Sequence, residues 1–181
     1  MIWDSNPWKH DLWKCAAFLK RVGAQIHPLT EPQRISIERR IFLGFYSIRK
    51  LLEAQKLTDR CSQQMTTLSV FPPTWTPITH FNWHRAGEHF DFNAPRSEEW
   101  SLIELCHQFI HSYVFHIALG EAGGLTGFFV ASDKQLKKKR GLLRINVDSV
   151  AAIFQSVATD DIVSFHWTRD PNTNEECFSS K

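Results

Sequence analysis

Ser97–Leu119 reads SEEWSLIELCHQFIHSYVFHIAL, the longest strongly apolar stretch of the chain and the carrier of three of its nine histidines. Ser97 is a good N-cap, Glu98 and Glu99 place negative charge in a first turn, and Gly120 with Gly123-Gly124 supplies a stop. At about 100° per residue, Leu102, Leu105, Cys106, Phe109, Ile110, Tyr113 and Ile117 share one broad face, widened by Ile103 and Val114. The reading is one helix over 97–119, buried at the centre of the protein. Its polar strip holds Glu104, His107, Gln108 and His111, spaced Glu-x-x-His-x-x-x-His. Steps of three and four put side chains on neighbouring turns, the way helices present metal ligands or an acid–base pair.

The 181 residues are enough for one domain with a real core. Seven Trp and fourteen Phe make aromatic contacts the expected substance of that core or of an interface. A net charge of +2 excludes a strong polyelectrolyte, so any basic surface must be local. Cys15, Cys61, Cys106 and Cys177 form no Cys-x-x-Cys pair. MIWDSNPWKHDLWK lacks the apolar core of a signal peptide, and no run reaches the roughly 18 apolar residues of a membrane span. A cytoplasmic protein that meets no membrane is expected.

Upstream, Trp8, Leu12, Cys15, Ala16, Leu19 and Val22 recur at helical spacing, so residues 7–23 read as a helix. Trp3 and Trp13 lie off that stripe and are expected to pack on a neighbouring element. Thr30-Glu31-Pro32-Gln33 has the form of a capping box opening a second helix that runs to about Lys56. Ile41, Phe45, Ile48 and Leu52 form its buried stripe. Arg49 stands on its flank, where a half-buried cation needs a carboxylate partner or an anion from another element.

Met65–Phe71 reads as a strand ended by Pro72-Pro73, and Ile78–Trp83 as a second strand. A loop follows with His84 and His89. Six of the nine histidines lie between His80 and His116, so the loop, folded over the helix strip, would complete a polar pocket. Thr126–Ala131 and Leu142–Val147 read as a hairpin joined by SDKQLKKKRG, followed by a helix capped by Asp148. Ile162–Trp167 reads as a last strand, and 169–181 as a polar, frayed tail. Lys134, Lys137, Lys138, Lys139 and Arg140 are the one strong charge cluster, suited to a solvated tip or to phosphate contacts without sequence specificity.

The chain carries no Walker loop, dinucleotide glycine fingerprint, nucleophile elbow or zincin motif. Cys106–Tyr113, CHQFIHSY, resembles the Arg-x4-His-x-Tyr motif of HEPN ribonucleases with Cys106 in the arginine position. That resemblance implies an all-helical fold and RNA cleavage by a dimer, with His111 and Tyr113 at the family's His and Tyr positions.

The expected fold is α+β in a single domain: four helices on an antiparallel sheet of four or five strands. Residues 1–57 are mainly helical, 65–119 hold strands, the histidine-rich loop and the central helix, and 124–168 the hairpin, a helix and the last strand. The expected function is a binding or assembly module whose partner is a protein, a second copy or nucleic acid, with no cofactor identified. The alternatives are an enzyme with a pocket of His111, His84, Glu104 and Arg49, including a degenerate HEPN-like ribonuclease, and a metal-dependent hydrolase. The hydrolase would use Glu104, His107 and His111 with a fourth ligand from His80, His84 or His89.

Overall fold

Asn6–Gly23 (α1) follows the expected stripe, burying Leu12, Cys15, Ala16, Leu19 and Val22. A computed structural model of the chain describes residues 2–74, 76–169, 173 and 176–181. Trp3 and Trp13 do not pack as expected; they are 98% and 47% exposed. Glu31–Glu53 (α2) opens on the capping box, Thr30 accepting from the Gln33 N–H while the Gln33 side chain accepts from the Thr30 N–H. It stops three residues before Lys56. Gln55 there takes a left-handed φ of 55°, and the Gln55 and Lys56 N–H groups bond back to Leu52 and Leu51, a Schellman ending. Asp59–Ser62 (α3) is a single turn capped by Thr58.

Met65–Phe71 (β1) is the strand expected there. Residues 78–83 are not a strand. The Asn82 carboxamide oxygen accepts from the Thr79 N–H and hydroxyl and winds the segment into a turn. Ala86–His89 (α4) is one further turn.

The largest departure from the sequence reading is in 97–119. It divides into Arg96–Ser101 (β2), Leu102–Ile110 (α5) and Ser112–Leu119 (β3). Ser101, not Ser97, is the N-cap: its hydroxyl accepts from the Glu104 N–H, and the Glu104 carboxylate takes the Ser101 N–H at 3.0 Å. Below that cap, residues 96–101 pair with β1 from Val70↔Arg96 to Met65↔Ser101. Above it, Tyr113, Val114, Phe115 and Ile117 are aromatic or β-branched, types that favour a pleated surface. The strand they form pairs with Leu125–Ser132 (β4), with Tyr113 at an irregularity between Ser112 and Val114. An apolar run cannot by itself distinguish a buried helix from a buried strand; partner strands on both sides of α5 decide it.

Asp133–Lys137 (α6) is a short helix inside the expected hairpin loop. It ends in a second Schellman turn, with Lys139 at φ 52° and the Arg140 N–H bonded to the Gln135 carbonyl. Gly141, at φ +104°, then turns the chain so close to the Phe71 carbonyl that a Cβ would sit 2.3 Å from its oxygen. Leu142–Asn146 (β5) pairs with β4, as the hairpin reading requires, and also with β1. Val147–Thr159 (α7) follows, with Asp148 in its first turn rather than at its cap. Phe165–Arg169 (β6) begins three residues later than the expected strand and pairs with Glu176–Ser180 (β7). The expected frayed tail therefore contains a strand, anchored where Ser180 Oγ donates to the Leu57 carbonyl. Residues 170–172, 174 and 175 of that tail lie outside the described residues.

The described residues thus form seven helices rather than four, and a five-stranded antiparallel sheet in the order β2-β1-β5-β4-β3. Strand alternation assigns the two faces. Leu68, Val70, Phe128, Val130, Leu143 and Ile145 belong to the main core with α1, α2, α5 and α7. Phe71, Phe129, Ala131, Val114 and Leu142 turn to the other face and pack with Phe90, Ile78 and Leu136. Phe45 stacks on Phe109 at 3.9 Å and meets Phe154 edge-on at 5.2 Å, joining α2, α5 and α7. Each such buried ring contributes about 1.5–3 kcal/mol, and together they fix where α5 presents its polar strip.

Candidate functional site

The strip of α5 faces a cleft of about 800 Å³, and its opposite wall is the segment 132–140. Two features far apart in sequence, the Glu104/His107/His111 strip and the basic cluster, therefore line one space. The junction is held by backbone. The Asp133 N–H donates to the His111 carbonyl at 3.2 Å, and the Ser132 N–H to the Gln108 Oε1 at 3.0 Å.

On the α5 wall, His107 and His111 are exposed, with ring centroids 6.3 Å apart. Arg49 reaches His107 from α2. Its Nε bonds Glu53 Oε1 at 2.6 Å, and its Nη1 is hydrogen-bonded to His107 Nε2. The half-buried cation thus finds a carboxylate one turn along its own helix and an imidazole on another. Partial desolvation, then the charges of Arg49, His111 and Lys134, hold His107 below the ordinary histidine value, with Glu104 opposing. A neutral imidazole that accepts at Nε2 carries its proton on Nδ1. Glu104 is committed to its cap, and its bonds to Ser101 hold its carboxyl below the usual carboxylate range.

The facing wall is cationic. Lys134, Lys138 and Arg140 line it, while Lys137 is drawn to Asp133 Oδ2 at 2.6 Å. The Schellman turn at Lys139 brings Arg140 back over the Trp100 ring, 5.3 Å from its centroid. Trp100 and Gln135 are each only 3% exposed and also line the cleft. Trp100 Nε1 and Gln135 Nε2 are buried donors without a hydrogen-bond partner. A buried donor left unpaired costs about 1–3 kcal/mol. Neither residue is singled out by the sequence. Gln135 reads as part of a solvated loop until α6 buries it.

The other residues read as site candidates lie elsewhere. His84 stands edge-on to Trp83, which stacks on His116 at 5.5 Å. His80 meets Tyr113 at 5.5 Å, and His89, 1% exposed, points its ring nitrogens at the Thr76 and Asn82 carbonyls. These groups cover the sheet face opposite α5, so the histidine-rich loop does not close over the strip. The quartet His111, His84, Glu104 and Arg49 is not assembled: Glu104 and His111 line the cleft, Arg49 stands behind His107, and His84 is on the other face. Among the described residues no group of three or more His, Cys, Asp or Glu is placed to hold a metal ion.

The segment resembling the HEPN motif is divided too. Cys106 is fully buried with its thiol pushed up to about 12 by desolvation, His111 is the C-cap of α5, and Tyr113 belongs to β3. The chain matches no family model, no curated protein and no solved structure. No helix among the described residues is long and apolar enough to cross a membrane.

Proposed function

We propose that the chain is a binding module that holds the phosphates of a nucleic-acid strand in the cleft between α5 and α6, with no catalysis of its own. The observation that carries this reading is the convergence of Lys134, Lys138 and Arg140 on one cleft, with Arg140 held over the Trp100 ring. The carboxylates beside them are engaged, Glu104 by Ser101 and Asp133 by Lys137. What the lining offers is positive charge and N–H groups, the complement of phosphate oxygens. The Nε2 lone pair of His107 is taken by Arg49, which removes that nitrogen as a general base.

The test is fluorescence anisotropy with a labelled single-stranded oligonucleotide across a salt series. Each phosphate neutralised adds about −0.7 to the slope of log K against log salt on a single strand. Lys134→Glu with Lys138→Glu is expected to weaken binding for every sequence and to flatten the slope by at least about 1.4. No binding at low salt, or an unchanged slope in a folded variant, overturns the reading. Tight binding of an acidic protein by the same cleft, with none to the oligonucleotide, replaces it.

A further inference from the structure

Behind α6 lies a second cavity, of about 560 Å³, lined by Pro73, Pro77, Ile78, Tyr113 and Leu136. It is more apolar than the cleft: these residues include one aromatic ring, Thr74, Thr76 and His89 add polar groups, and the volume is that of an ordinary small-ligand pocket. The two spaces share a wall. Along α6 and its turn, Lys134, Gln135 and Lys138 line the cleft, whereas Leu136, Lys137 and Lys139 line the cavity. Asp133 borders both, and the neighbours Ser112 and Tyr113 fall one on each side. A helix with its side chains is about 10–12 Å across, so the two are separated by a step that a strand of one or two nucleotides spans.

The outer wall is built rather than loose. The Thr74 N–H donates to the His89 carbonyl at 2.7 Å, and the Thr74 hydroxyl to the Glu88 carbonyl at 2.8 Å. Pro73 bridges to Phe90, and the buried His89 ring lies between the Thr76 and Asn82 carbonyls, within hydrogen-bond distance of each. His89, read from sequence as a metal candidate, is here a positioning residue for this wall.

We infer that this cavity receives an unpaired base of the strand whose phosphates occupy the cleft, so that the module selects single-stranded nucleic acid. The inference rests on the proposed function and adds the substrate class. A base is a flat, largely apolar ring tethered to a phosphate, which is the pairing of chemistries that α6 separates. Inside a duplex the bases are stacked and paired, and only an unpaired one can be turned into a pocket and laid against an aromatic side chain.

The test compares three probes of one length under one label and salt: a thymidine oligomer, the same oligomer with abasic sites, and a blunt duplex. The abasic oligomer keeps every phosphate and lacks the bases. The intact strand is expected to bind about tenfold more tightly than the abasic one, and at least as tightly as the duplex despite the duplex's denser charge. Tyr113→Leu and Ile78→Ser, checked for fold by circular dichroism, are expected to lower intact-strand affinity toward the abasic level and to leave abasic binding unchanged. Equal affinity of wild-type protein for intact and abasic strands overturns the base pocket while leaving the phosphate cleft standing. If no probe binds at low salt, the cleft reading fails and takes this one with it. The decisive comparison uses wild-type protein and does not depend on the variants folding.

Discussion

Replacing Gly44 by alanine should destabilise the protein, against the general rule for helices. In an open helix interior, Gly→Ala is worth about 1 kcal/mol of added stability. Gly44 lies on the buried stripe of α2, and a Cβ there would stand 2.3 Å from Phe154 Cζ and 2.4 Å from Cε2. Carbon atoms rest about 3.5–4.0 Å apart, so helix or ring must withdraw by more than about 1 Å. Phe154 has nowhere to go: it is fully buried, edge-on to Phe45, which is itself stacked on Phe109 at 3.9 Å. Overpacking of this kind costs about 1–3 kcal/mol. With the clash at the top of that range and the propensity gain subtracted, the net loss is about 2 kcal/mol. Urea unfolding followed by tryptophan fluorescence should show a lower midpoint at unchanged slope. Adding Phe154→Leu should recover part of the loss, giving a coupling above about 1 kcal/mol in the double-mutant cycle. A Gly44→Ala protein more stable than wild type refutes the packing described here.

Gln55→Gly should raise stability by about 0.5–1 kcal/mol, because glycine takes the left-handed φ of 55° without the Cβ penalty; thermal melting checks it, and a fall refutes the Schellman assignment. Ser101→Ala removes the cap of α5 and should cost about 1 kcal/mol, whereas Ser97→Ala, at the cap position expected from sequence, should cost little in the same assay. Burial, chiefly, depresses the pKa of both His107 and His116 from 6.5. The unfolded chain then binds protons that the folded one refuses, so the associated stability is complete above 6.5 and is lost as pH falls below it toward the folded values. Melting temperatures of wild type and His107→Gln/His116→Gln between about pH 7.5 and 5.5 should show the smaller decline in the variant; parallel profiles would remove both histidines from the account.

Much of the fold is legible in local sequence. The stripes of α1 and α2 demand 3.6-residue periodicity, Thr30-x-x-Gln33 is a capping box in sequence and in structure, and TGFFVA and LLRINV read as strands because β-branched and aromatic residues crowd them. The central segment is misread for a definite reason. In EEWSLIELCHQFIHSYVF apolar residues fall at helical spacing and, past His111, at alternate positions too, so the helical reading runs on into a strand, and Ser101-x-x-Glu104 is a capping box easily passed over beside Ser97-Glu98-Glu99. Ile78–Trp83 fails as a strand because the Asn82 side chain supplies the hydrogen bonds that a neighbouring strand would have supplied.

The candidate site divides in the same way. Residue chemistry alone marks Glu104, His107 and His111 as one strip, because steps of three and four fall on one helix face, and marks Lys134–Arg140 as a local basic cluster. Sequence by itself thus determined the α+β class, the elements α1, α2, β1, β4, β5 and α7, and the two polar features as separate things. That they line a single cleft was decided only by tertiary structure, through the order β5-β4-β3 and the bond from the Asp133 N–H to the His111 carbonyl. The same folding carried His84 to the far face of the sheet and buried Trp100 Nε1 and Gln135 Nε2 without a hydrogen-bond partner. The physical reason is that periodicity reports which side of its own element a residue occupies, whereas which elements face each other depends on strand pairing between residues far apart in the chain.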